Sequence, residues 1–100
     1  MISETTIRKV RELAIEDVLS PYVRLSRKGS TLMGLCPFHT EKTGSFAVTP
    51  GKNLFHCFSC NRGGDSITFI MEKENLSFSA AVEFIARNHN IPVEYISEER

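Results

Sequence analysis

The chain is 100 residues long with 12 basic and 12 acidic side chains, and 41% of its residues are apolar. That length suits one domain, with a core small enough to benefit from a bound metal. It holds no apolar run of the roughly 18 residues a membrane helix needs, no basic-then-apolar leader and no lipidation pattern, which points to a soluble, cytoplasmic protein with no membrane partner.

From Thr6 to Tyr22 the apolar spacing is helical, with Ile7, Val10 and Ala14 on one stripe and Ile15, Val18, Leu19 and Tyr22 on another. The change of phase near Ala14 predicts two short helices at an angle, and Pro21 ends the second. Alternation in Tyr22–Leu25 and Thr31–Leu35 then predicts a hairpin, with Arg27-Lys28-Gly29-Ser30 as its turn. A second hairpin is expected from Phe46–Thr49 and Asn53–His56 around Pro50-Gly51-Lys52. Gly63-Gly64-Asp65 opens a helix capped by Asp65, with Ile67, Ile70 and Met71 on one face. Ser77 caps a last helix carrying Phe78, Ala81, Val82, Ile85 and His89, and Asn90 and Pro92 mark its end. The plan is α+β, a zinc ribbon with a small antiparallel sheet, flanked by short N-terminal helices and two C-terminal helices. The domain is expected to span 1–93, with 94–100 as a flexible tail.

Cys36, His39, Cys57 and Cys60 form two ligand pairs, each with two residues inside it, separated by the 17 residues from Thr40 to His56. A two-residue gap lets one tight turn aim two side chains at one ion, so two such turns close a tetrahedral shell of three sulfurs and a nitrogen. One structural Zn2+ is the expected cofactor, because four protein ligands leave no open position for a water or substrate. The set uses all three cysteines of the chain. A redox pair at Cys57 and Cys60 is the competing reading, and it leaves Cys36 and the C-P-F-H turn unexplained. His56 adjoins Cys57, and neighbours in a strand point to opposite faces, so His39 is the expected nitrogen ligand.

Charge is unevenly distributed despite the overall balance. Between Pro21 and Gly64 six basic residues, Arg24, Arg27, Lys28, Lys42, Lys52 and Arg62, stand against Glu41 alone, a net of +5. A basic centre between acidic flanks suggests one face for an anionic partner, although such charges are also ordinary features of solvated strands and loops. Phe38, Phe46, Phe55 and Phe58 could stack on unpaired bases. A domain this small needs its aromatics for core, so Phe46 and Phe55 are expected to pair across the hairpin and at most one of the four to be exposed. His89 is expected to finish a helix.

The run Gly34-Leu35-Cys36-Pro37-Phe38-His39-Thr40-Glu41-Lys42-Thr43, then Ser45-Phe46, Phe55-His56-Cys57-Phe58-Ser59-Cys60 and Gly63-Gly64-Asp65, closely resembles the N-terminal CHCC zinc-finger domain of bacterial DnaG-type and phage DNA primases. The resemblance covers nearly the whole chain. It implies a module that contacts single-stranded template DNA and helps select where primer synthesis begins. A separate Toprim-type catalytic domain, in cis or in trans, would perform nucleotidyl transfer. It also implies a replicative helicase as a partner of the parent protein. The chain itself is expected to be non-catalytic, since it offers no acidic cluster for two magnesium ions. With the resemblance, Lys42 is the expected template contact; Arg62 and Lys52 extend it as residues of the same sheet or its rim, Thr43 and Ser45 could add hydroxyl bonds to nucleic acid or satisfy the loop backbone, and Arg24, Arg27 and Lys28 are weaker candidates. Gly44 stands where the family has proline, which implies a more mobile loop. Two other classes compete with this reading. One is a zinc-ribbon protein-interaction module of a replication or mobile-element protein, docking through the apolar or acidic faces of its helices, with the acidic C-terminal region, Glu83 and Glu94 included, as its sequence support. The other is a thiol-redox protein.

Overall fold

Ser3, Asp65 and Ser77 each accept, through a side-chain oxygen, the backbone N–H three residues on, and each opens a helix. These are the caps that satisfy the unpaired donors of a first helical turn. The computed structural model describes residues 2–38, 45–58 and 61–96. In chain order they form α1 (Glu4–Glu12), α2 (Ile15–Leu19), β1 (Ser26–Lys28), β2 (Thr31–Gly34), β3 (Phe46–Thr49), β4 (Leu54–Cys57), β5 (Arg62–Gly64), α3 (Ser66–Glu74) and α4 (Phe78–Asn88). The α+β plan holds, with five antiparallel strands in sequence order and helices before and after them.

The expected phase change is a real break, since α1 ends at Glu12 and α2 starts at Ile15. The first hairpin differs from expectation. Tyr22 and Val23 continue the turn that follows α2, both donating their N–H to the Leu19 carbonyl, so the strand begins only at Ser26. Their alternation with Arg24 and Leu25 reflects core burial of Val23 and half-burial of Tyr22 and not a ladder. Arg27 and Lys28 are therefore strand residues, and the turn shrinks to Gly29-Ser30. Gly29 takes a φ of 65°, which the first central position of a tight hairpin turn favours. The second hairpin is as expected, with β3 and β4 joined through Pro50–Asn53.

The fifth strand is a feature the sequence reading missed. Arg62, Gly63 and Gly64 pair with Cys57, His56 and Phe55, so the glycine pair belongs to an edge strand before it becomes the approach to α3. Gly64 has a φ of 146°, and a Cβ there would sit 3.0 Å from the Thr68 side chain. That position needs glycine both for its backbone angle and for the closeness of the helix.

One face of the sheet is covered by the helices. Phe46 and Phe55 project from it and stack at 5.5 Å, and Phe69 of α3 meets both, at 6.0 and 5.4 Å. Phe69 also touches Tyr22 and Phe38, which makes it the centre of the aromatic cluster. It lies off the Ile67–Ile70–Met71 stripe because α3 is covered on two sides, by the sheet and by α4 with α2. On α4, Ala81, Val82 and Ile85 are buried as the spacing implies, while Phe78 stays partly exposed.

The segment after α4 returns to the start of the chain. Ser3 N–H donates to the Glu94 carbonyl at 2.9 Å, Glu94 N–H donates to Thr6 Oγ1 at 3.0 Å, and Ile2 bridges Tyr95. Thr6, nearly fully buried, thus binds the far end of the described chain. Of the expected tail, 97–100 lie outside the described residues.

Candidate metal centre and nucleic-acid interface

The strands bring the two ligand-bearing turns to one end of the sheet. β2 and β4 both run antiparallel to β3, so they point the same way, and Gly34 and Cys57 both pair with Phe46. Cys36 lies two residues beyond Gly34, and Cys57 is the last residue of β4, so both arrive at that end. Both thiols are buried, Cys57 completely. Ser45 Oγ lies 3.9 Å from Cys57 Sγ, a weak hydroxyl–sulfur contact. Asn61 donates its N–H to the Cys57 carbonyl at 2.8 Å and holds a φ of 57°. His39 and Cys60 lie outside the described residues, as do Lys42, Thr43 and Gly44.

Two buried thiols brought to the same end of the sheet by β2 and β4, which run parallel to each other on either side of β3, fit a thiolate-binding metal. His56 is exposed while Cys57 is buried, so the two point to opposite faces, and His56 makes an edge contact with the Phe58 ring at 4.6 Å.

Among the described residues no helix covers the other face of the sheet, on which Ala47 is nonetheless buried. Strand register places Ser26, Met33, Ala47, His56 and Gly63 in one row across it, with Lys28, Thr31, Thr49 and Leu54 in the next. Large apolar side chains stand exposed along this side, Phe58 at 68%, Leu35 at 51% and Leu54 at 43%. Of the four phenylalanines considered for stacking, Phe46 and Phe55 are core, Phe38 is half-buried, and Phe58 alone is exposed. A groove of about 530 Å³ runs between β1 and β2, lined by Arg24, Ser26, Lys28, Met33, Gly34 and Leu35. It combines cations with an apolar floor.

Of the contacts expected from sequence, Ser45 sits beside the metal end and Lys52 is exposed in the β3–β4 turn at the opposite end. Arg62 is placed differently from both. It shares its cross-strand row with Cys57 and Phe46, on the helix side of the sheet, and its guanidinium reaches Glu72 of α3 at 2.8 Å. His89 caps the end of α4, as expected. Glu83 accepts a hydrogen bond from the Tyr95 hydroxyl and Glu94 one from Ser3, so these two acidic side chains make internal contacts.

The family model of the CHC2 zinc finger, the zinc ribbon of DnaG, matches residues 2–100. The chain belongs to the CHC2 zinc finger family. It is 46% identical over 96 residues to a DNA primase of Streptomyces coelicolor, covering 94% of this chain and 15% of that protein. It is 48% identical over 86 residues to a DNA primase of Geobacillus stearothermophilus, covering 85% and 14%. Among solved structures it is similar to the Aquifex aeolicus primase, comprising zinc-binding and RNA polymerase domains. There the TM-score is 0.80 at 37% identity, over 91% of this chain and 22% of that one. The chain thus spans about one seventh of the length of the curated relatives it matches. CHC2 membership implies zinc binding. Among the described residues no helix is long and apolar enough to cross a membrane.

Proposed function

We propose that this chain is the template-handling module of a DNA primase, non-catalytic by itself. It holds one structural zinc through Cys36, His39, Cys57 and Cys60 and presents the open face of its sheet to single-stranded DNA. A catalytic domain of the Toprim type, in the same polypeptide or supplied in trans, performs primer synthesis. This module biases where that synthesis begins, and a replicative helicase is reached through the parent protein.

The observation that carries the DNA reading is the division of labour between the two sheet faces. The inner face spends its aromatics on the core, so only the outer face has side chains to spare. There Phe58 offers a π-surface, Met33, Leu35 and Leu54 offer apolar contact, and Arg24, Lys28 and Lys52 offer charge at the rim. Such a combination suits unstacked bases threaded along a cationic border. Lys42, Thr43 and Ser45, which follow the first metal turn, complete the proposed contacts at the metal end. Arg62 lies on the helix side of the sheet, half exposed and paired with Glu72.

The test is fluorescence anisotropy of short single-stranded oligonucleotides with zinc-loaded protein over a range of salt. Affinity that falls steeply with salt and drops in Lys42→Ala and Phe58→Ala supports the reading, because neutralised phosphates release counterions. Weak binding indifferent to salt and to both substitutions would overturn it. The acidic helix faces suggested by Glu83 and Glu94 gain no support, since both carboxylates bind other parts of the chain.

A further inference from the structure

Arg62 is bound on three sides, and each contact leads to a metal-bearing turn. Its strand position pairs it with Cys57, which puts it on the same face as that thiol. Its guanidinium carbon lies 4.9 Å from the centre of the Phe38 ring, and Phe38 sits between Cys36 and His39 in the first turn. Its Nη1 is held at 2.8 Å by Glu72, and the next residue of α3, Lys73, donates from Nζ to the Pro37 carbonyl at 3.3 Å. Consecutive residues in the last turn of α3 thus grip the two turns, one directly and one through Arg62.

We propose that Arg62, fixed by Glu72, is a positioning residue for the zinc ligands: it locks the Cys36–His39 turn against the Cys57–Cys60 turn and supplies the permanent positive charge behind their thiolates. Three thiolates on a divalent ion leave the shell one charge negative, so a nearby cation that cannot lose its proton stabilises the loaded state. An exposed Arg–Glu pair contributes little to folding on its own. Its effect here is on ligand orientation, where loss of a supporting contact typically weakens metal binding about 10- to 100-fold. The planar guanidinium matters as well as its charge, because it lies over an aromatic ring.

Because the assignment rests on the proposed zinc site, zinc content of the purified full chain is measured first. A chain without zinc overturns the site and the clasp together. With one zinc bound, extraction by a chromogenic chelator is compared for wild type, Arg62→Gln, Arg62→Lys, Glu72→Gln and Asn53→Ala. Arg62→Gln is expected to release zinc roughly 10-fold faster or more, with Arg62→Lys and Glu72→Gln between it and wild type. Asn53→Ala, which destabilises the opposite end of the sheet, gauges how far release follows stability alone; it is expected to release zinc more slowly than Arg62→Gln, and an equal or faster rate overturns the proposal. Release from Arg62→Gln at the wild-type rate overturns the proposal. Arg62→Gln that keeps its zinc yet loses oligonucleotide binding overturns it too, and makes Arg62 a phosphate contact.

Discussion

Asn53, in the turn between β3 and β4, accepts through Oδ1 the first backbone N–H of α2, that of Ile15, at 2.9 Å. Its Nδ2 donates to the carbonyls of Arg11 and Leu13, each at 2.9 Å. One side chain from the sheet therefore supplies the cap that Ala14 does not and satisfies the carbonyls left by the end of α1. Asn53 also holds a φ of 57°, a conformation asparagine tolerates better than most residues.

Asn53→Ala removes all three hydrogen bonds and keeps the backbone strain. A loss of about 2–3 kcal/mol is expected, from roughly 1 kcal/mol per hydrogen bond. For a domain of this size that corresponds to a fall in Tm of roughly 10–20 °C. Thermal melts of the zinc-loaded protein, with Asn53→Gly as the variant that relieves the strain, measure it.

The two tyrosines of the chain both ionise above their ordinary range. Burial, reinforced by a 2.7 Å hydrogen bond to Glu74, pushes the Tyr22 hydroxyl up to about 12, and the hydrogen bond to Glu83 raises that of Tyr95. In the unfolded chain the hydroxyl ionises near 10, so below that pH it is neutral in both states and its contribution to folding is intact. As pH rises from about 10 towards 12 the unfolded state loses protons first, and that contribution disappears. An alkaline absorbance titration of the folded Tyr95→Phe protein, which reports Tyr22 alone, should show little tyrosinate at pH 10, and Glu74→Gln should bring Tyr22 down.

Removing the metal should unfold the ribbon. Structural zinc contributes about 10–16 kcal/mol in small domains, as much as a whole domain's usual net stability of about 5–15 kcal/mol. Excess chelator, or Cys57→Ser, is expected to abolish the cooperative thermal transition seen by circular dichroism. Restoring zinc should recover it only in the wild type.

Phe58 and Phe69 should behave oppositely under alanine substitution. Phe58 is 68% exposed, so its loss should leave Tm near the wild-type value. It should cost about 1–3 kcal/mol in oligonucleotide affinity, the usual worth of one stacked base. Phe69 is fully buried among Tyr22, Phe38, Phe46 and Phe55, and its loss should cost about 3–5 kcal/mol of stability. Paired melts and anisotropy titrations separate the two effects.

What could be read before folding was what is decided locally. Asp65 and Ser77 cap helices because the interaction spans three residues, and Pro50-Gly51 bends the chain wherever it occurs. The spacing of Cys36 and Cys57 from their partners is likewise a local matter. The features missed depend on distant neighbours. Gly63-Gly64 reads as a turn until β4 offers it a ladder, and Tyr22-Val23 reads as a strand until Phe69 and the core draw it inward. Phe69 itself falls off the helical stripe, since nothing in its own segment shows that α3 is covered twice. The direction of Arg62 follows only from its register with Cys57, which nothing in its own segment supplies.

The bridge between Ile2 and Tyr95 makes the described chain nearly circular. Its two ends lie together beside α1, whose packing partners are α3 and α4, on the layer that covers the inner face of the sheet. The last described residues are thus held on the helix-covered side of the sheet, and loosening either end of the chain would free the other.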